Sequence, residues 1–133
     1  MRINIITFIT FIACVSCVSN PYNVDLANVG KRIDMKVTKC IPSPDVLPKL
    51  KYGHGPIYPA TQVMKQREGK AKVEFDIDKE GNVSNITTST SDYPYFAKHA
   101  KLAANTWFFE PAFTKGKPVE VRCSQKFLYK IGR

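Results

Sequence analysis

Gly69-Lys-Ala-Lys-Val-Glu-Phe-Asp-Ile-Asp-Lys-Glu-Gly-Asn82 is the stretch by which everything from Tyr58 onward can be placed. Ala71, Val73, Phe75 and Ile77 alternate with Lys70, Lys72, Glu74, Asp76 and Asp78 without a break, so one face of a strand is apolar and the other solvated. The strand runs into Lys79-Glu80-Gly81-Asn82, where Gly81 supplies the positive φ of a tight turn and sends the chain back along a second strand, Val83 to about Ser89. Val83 and Ile86 are three residues apart, which breaks the alternation and predicts a bulge. The apolar face of that hairpin requires a cover from elsewhere in the chain.

The cover follows directly. Ser91-Asp92-Tyr93-Pro94 is a helix-start cluster, and Phe96, Ala100, Ala103, Ala104 and Trp107 then recur on one helical face, with Lys98, His99, Lys101 and Asn105 opposite. Pro111 is expected to end this helix, with Phe109 a core anchor beside it. After the Gly116 turn, Val119, Val121, Cys123, Phe127, Tyr129 and Ile131 alternate with polar residues as a third long strand, blemished only by Gln125 on the apolar side. Before the hairpin, Pro59 opens a short helix whose apolar side is expected to be Ala60, Val63 and Met64. Helix, strand, strand, helix, strand predicts a two-layer α+β domain, an antiparallel three-stranded sheet covered by two helices. Ile33, Met35 and Val37 alternate within Arg32 to Cys40, which suggests one extra edge strand.

The 133 residues hold one domain and little more, and 44% are hydrophobic, enough for a core. Met1 to about Cys17 is an apolar run of signal-peptide length, Ile5 to Ala13 behind a single Arg, and we expect it to be an export signal; a short uncleaved anchor is the alternative. Residues 18–52 are expected to be a tether and small preface, and 53–133 the domain. The net charge of +9 is spread over separated lysine pairs rather than clustered. For an exported chain it points to anionic lipid headgroups, acidic protein surfaces or plain solubility, and away from nucleic acid.

Ala13-Cys14 and Ser16-Cys17 each resemble the lipobox of bacterial lipoproteins, whose Cys is acylated. If Cys17 carries the lipid, Cys14 leaves with the signal and Cys40 and Cys123 remain, an even number in an oxidising compartment. Cys17 is therefore preferred over Cys14, with ordinary cleavage after Ser19 the third option. Cys40 and Cys123 are either bridged, stapling the preface to the core, or buried as free thiols.

Pro56-Ile57-Tyr58-Pro59, Glu68-Gly69, Val73-Glu74-Phe75-Asp76-Ile77, Gly81-Asn82-Val83, Ala104 to Trp107, Phe109-Glu110-Pro111-Ala112 and Gly116-Lys117-Pro118-Val119 occur in that order, closing on Phe127. Taken together they resemble the TonB C-terminal domain family, from Pro56 to about Ile131. That resemblance implies a periplasmic module that passes energy from a proton-driven inner-membrane complex to outer-membrane receptors. It implies recognition by strand addition at the last strand, here Val121, Cys123, Gln125, Phe127 and Tyr129, with Pro56, Tyr58 and Pro59 as the motif loop. The family's best-known members carry a Gln just before that motif, where this chain has Gly55. They also have a transmembrane anchor and a long Pro-rich spacer, for which this sequence offers no counterpart. The expected partners are envelope proteins and, through the lipid, a membrane. The alternative is an envelope lipoprotein with a scaffold role, and strand exchange between two copies is left open.

Chemistry finds little support in the residues. Asp76, Asp78, Glu80 and Gly81 imitate the start of a calcium loop, but its last ligand position holds Thr87 instead of Glu. The two histidines, His54 and His99, lie far from any close-spaced cysteine pair, which argues against zinc. Cys123 with His99 is a poor nucleophile and base pair, because alternation turns Cys123 inward. No cofactor, metal or catalytic residue is expected.

Overall fold

The computed structural model describes Met35, Val37 and residues 39–132. The expected signal, Cys14, Cys17 and the first part of the tether lie outside the described residues. The elements are β1 (Lys39–Ile41), β2 (Lys49–Tyr52), α1 (Ala60–Met64), β3 (Gly69–Ile77), β4 (Val83–Ser91), α2 (Pro94–Ala104), β5 (Phe108–Glu110), β6 (Ala112–Thr114), β7 (Lys117–Val119) and β8 (Val121–Tyr129).

The main sheet has four strands in the order β1-β8-β3-β4, all neighbours antiparallel. The last strand is thus interior over part of its length, with β3 on one flank and the short β1 on the other. Ala71, Val73, Phe75 and Ile77 of β3 and Val121, Cys123, Phe127 and Tyr129 of β8 are all buried, as the alternation predicts. Helix α2 lies against β3 and β4 and buries Phe96, Ala100, Ala103 and Ala104. The expected two-layer α+β architecture is present. Each large apolar side chain fully buried here stabilises by roughly 1.5–3 kcal/mol.

Several expectations are corrected in detail. Helix α2 stops at Ala104 instead of running to Pro111. The Thr106 hydroxyl donates to Ala103 O and the Asn105 amide to Lys101 O, so side chains satisfy carbonyls that a further turn would have used. Trp107 still enters the core, from the loop after the helix, and Phe109 from β5, which pairs with β2. In α1 the buried residues are Gln62 and Val63, while Ala60 is exposed and Met64 is 62% exposed. A helix this short takes its orientation from its ends: Arg67 N donates to Gln62 O and Tyr58 Oη to Arg67 O, which turns Gln62 inward. The preface is more than a tether, because β1 extends the main sheet and β2 forms a ribbon with β5. Val119 belongs to a β6-β7 hairpin.

The predicted bulge is seen where the β3-β4 register shifts between Glu74 and Asp76, and opposite it Asn85 adopts a φ of 49°. Gly81, with φ 95°, does more than turn the hairpin. A Cβ there would collide with the Phe109 carbonyl oxygen, and Phe109 N donates to Gly81 O at 2.9 Å. The turn therefore docks β5 onto the sheet, and only glycine allows so close an approach. Cys40 and Cys123 face each other in register and are disulfide-bonded, with Cα atoms 4.0 Å apart. A bridge across 83 residues of sequence contributes roughly 2–4 kcal/mol.

Candidate functional site

The candidate site is one flank of β8, and its geometry follows from which way each backbone group points. In an antiparallel ladder the N–H and C=O of one residue point to the same neighbour and those of the next to the opposite one. Asp92 N donates to Lys70 O and Ser89 Oγ to Lys72 O, so the even-numbered residues of β3 face β4 and the odd-numbered ones face β8. By register Val73 meets Gln125, Phe75 meets Cys123 and Ala71 meets Phe127, so the odd residues of β8 turn their backbone to β3. Arg122, Ser124, Lys126 and Leu128 turn theirs to the other flank. The 4.0 Å Cα separation of Cys40 and Cys123 is the spacing of a non-hydrogen-bonded pair and agrees with this assignment.

Strand β1 takes up Arg122 and Ser124, with Ile41 opposite Arg122 and Lys39 opposite Ser124. Past Ser124, among the described residues, no strand pairs with this flank. The Lys126 carbonyl accepts a hydrogen bond from Gln125 Nε2 at 2.9 Å. Among the described residues, no strand takes up the Lys126 N–H or the backbone groups of Leu128. The expected docking residues Val121, Cys123, Gln125, Phe127 and Tyr129 are thereby placed differently. Their backbone groups serve β3, Cys123 is bonded to β1, and the groups that no described strand takes up belong to Lys126 and Leu128.

The outer face over this flank is basic. Arg122 is spent within the protein: its guanidinium donates to Asp76 Oδ1 at 2.7 Å and to Thr87 Oγ1 at 2.9 Å. Burial raises the Asp76 carboxyl, but hydrogen bonds from Asn85 and Arg122 and the Arg122 charge outweigh it and leave the pKa lowered. Lys126 stands directly opposite Lys72, a like-charge cross-strand pair, and Leu128 is 49% exposed beside it. Gln125 is buried and, among the described residues, its Oε1 has no hydrogen-bond partner. Sequence reasoning noticed Gln125 as a blemish and counted it among the docking residues, but did not foresee the bond from its amide to the Lys126 carbonyl; a polar residue on an otherwise apolar strand face was the available signal.

Pro56, Tyr58 and Pro59 do not lie on this flank. All three are buried, and Tyr58 packs edge-on to Phe96 and Tyr129 at 5.9 and 5.5 Å between centroids. Trp107 Nε1 donates to His54 O at 2.8 Å and fixes the start of the same loop. The imitation calcium loop is a turn: Asp78 Oδ1 accepts from Glu80 N and Asn82 N. Among the described residues no group of three His, Cys, Asp or Glu is placed to hold a metal ion. No helix among them is long and apolar enough to cross a membrane.

A hairpin roofed by α2, a C-terminal strand beside it, and a Tyr-Pro loop plugged into the core define the class. The chain belongs to the family described as Gram-negative bacterial TonB protein C-terminal, whose model matches residues 54–131. Among the proteins it is similar to is one of Pseudomonas aeruginosa. It is 31% identical over 77 residues to Protein TonB of that organism, covering 57% of this chain and 22% of the relative. The solution NMR structure of the Pseudomonas aeruginosa TonB CTD matches with a TM-score of 0.56 at 29% identity, over 65% of this chain and 88% of that one. The chain thus spans about a fifth of the length of the curated relative.

Proposed function

We propose that this protein is a non-catalytic interaction module of the cell envelope that works as TonB-like proteins do. It couples a proton-driven inner-membrane complex to outer-membrane receptors by pairing a receptor segment with β8. The observation that carries this reading is that, among the described residues, no strand pairs with Lys126 and Leu128 on the flank of β8 away from β3, whereas Arg122 and Ser124 there are paired with β1. An unpaired edge offers donors and acceptors to an extended segment. Export to the periplasm and a lipid on Cys17, with Cys14 the alternative, belong to the same proposal, as does a boundary between tether and domain near residue 53.

A photo-crosslinking side chain at the exposed position 128, introduced in living cells, tests it. Capture of an outer-membrane receptor segment is expected; capture of none, with transport unchanged when the chain is deleted, overturns it. Incorporation of a labelled fatty acid in Cys17→Ala and Cys14→Ala variants tests the anchor: loss in Cys17→Ala alone is expected, and labelling that survives both overturns it.

A second reading, an envelope scaffold independent of receptors, is favoured by one specific observation. β1 already sits in the position beside Cys123 that a partner strand would take, and a covalent bond holds it there. Crosslinks from position 128 to other envelope proteins, with no receptor among them, are what this reading expects.

A further inference from the structure

We propose that the sheet face turned away from α2 is a membrane-contact surface, where Lys70, Lys72 and Lys126, with Leu128 among them, lie against an anionic phospholipid bilayer; this rests on the membrane attachment proposed above. Helix α2 covers one face of the sheet. The other carries the even-numbered side chains of β3 and β8, none of which is buried.

The register sets out what this face presents. Lys70 stands opposite Leu128, Lys72 opposite Lys126, Glu74 opposite Ser124 and Asp76 opposite Arg122. Side chains directly opposite in a sheet are neighbours on one face, so the charges separate by end. Towards Ile77 the acids are engaged: Asp76 meets Arg122 at 2.7 Å, and Glu74 lies 3.4 Å from Lys72 Nζ. Towards Gly69 the face is basic, because Lys70 and Lys126 have no ion pair among the described residues. Asp92, beside Lys70, accepts the Lys70 backbone N–H at 2.8 Å.

Two features of the basic end gain nothing for the domain by itself. Lys72 and Lys126 are like charges directly opposite, an arrangement that costs stability. Leu128 stands 49% exposed among the lysines, and on the same face Ile41, opposite Arg122, is 67% exposed. An anionic leaflet answers both. Its phosphates offset the paired lysines, whose stems snorkel, while the leucine enters the headgroup boundary. An acidic protein could supply the charge, but the course of the chain favours the bilayer. The chain joins the sheet at Lys39, which pairs with Ser124 on this face, roughly twenty residues after Cys17. Attachment through the N-terminal segment would hold the face near lipid at high effective concentration, so a weak contact suffices.

The experiment uses the full chain reconstituted into nanodiscs of phosphatidylcholine with or without phosphatidylglycerol, each containing a lipid with a nitroxide headgroup. Paramagnetic broadening of protein signals reads which side chains meet the leaflet. With phosphatidylglycerol, broadening is expected at Lys70, Lys72, Lys126 and Leu128, but not at Tyr95 and Leu102, which are exposed on α2. Without it, or with added salt, that broadening fades. Each lysine at an anionic leaflet is worth roughly a fivefold change in the contact equilibrium. Lys126→Thr and Lys70→Thr are expected to weaken contact by that factor, and Lys126→Thr to unfold no earlier than wild type on heating, since the like-charge pair is gone.

Equal broadening in both kinds of disc, strongest broadening on α2, or unchanged broadening in both variants would overturn the inference. So would a chain that stays with the discs but shows no broadening along β3 and β8, the result an acidic protein partner predicts; attachment would then stand without the contact. Failure to associate with either disc would overturn the attachment and the inference together. Two variants on different strands keep a folding defect in one from deciding the result.

Discussion

Phe96 lies flat against Tyr129, their ring centroids 4.1 Å apart and their planes within 11°. One ring comes from the first turn of the covering helix and the other from the end of the last strand. The Tyr129 hydroxyl donates to the Phe96 carbonyl at 3.1 Å, so the same two residues are joined twice. Replacing Phe96 by Ala leaves a large void and is expected to cost about 3–5 kcal/mol. Tyr129→Phe keeps the stack and is expected to cost only about 1 kcal/mol. Guanidinium unfolding of both variants checks this, and a Phe96→Ala loss no larger than that of Tyr129→Phe would contradict it.

Alkaline pH should act through Tyr58. Burial first, and the nearby Glu68 charge second, push its pKa up to about 12 from an ordinary value of 10.0. Burial, with a smaller contribution from Tyr58, also raises Tyr129. A raised folded pKa means that stability is intact below pH 10 and declines as pH rises through the folded value. Unfolding free energy is therefore expected to fall between pH 10 and pH 12. In Tyr58→Phe that decline becomes shallower, at the expense of about 1 kcal/mol near neutrality from the lost bond to Arg67 O. Denaturation midpoints across that range make the comparison.

Acid acts through Asp76. Its folded pKa lies below the ordinary 3.8, so the stability it contributes is present above that value and disappears as pH drops through the folded one. Asp76→Asn is expected to be less stable than wild type at pH 7 and to lose less on acidification below about pH 4. A variant with an unchanged acid profile would show that the Arg122 contact at 2.7 Å contributes nothing to folding.

Gln125 offers a test of a different sign. Its Oε1 is buried with no donor among the described residues, a burden that an apolar side chain of similar shape does not carry. Gln125→Met is expected to leave stability unchanged or raise it by up to about 1 kcal/mol, while uncovering the Lys126 carbonyl. Thermal unfolding measures the first effect. Faster amide exchange at Lys126 and Leu128 in the wild type than at odd-numbered residues of β8 would independently confirm which groups are open.

Much of the fold was legible because period-two alternation in Ala71–Ile77 and Val121–Tyr129 and the helical spacing of Phe96, Ala100 and Ala103 are local signals. Each is written in residues close together in the chain. The end of α2 was misplaced because the carbonyl-capping bonds of Asn105 and Thr106 leave no mark in hydrophobic periodicity. The ribbons β2-β5 and β6-β7 escaped notice because strands of three or four residues are too short to display a period. Gly81 was recognised as a turn, but its contact with Phe109 joins segments that only folding brings together.

The candidate site divides along the same line. The order of residues alone determined that a hairpin, a covering helix and a long last strand form one domain, because burying an apolar face is dictated by composition and spacing. Alternation also told which side chains of β8 point inward. Which backbone groups of β8 are paired was decided by the tertiary structure, since among the described residues it depends on β1 arriving from 83 residues away and pairing only as far as Ser124. Side-chain chemistry is carried residue by residue, whereas the availability of a strand edge is a property of what lies next to it.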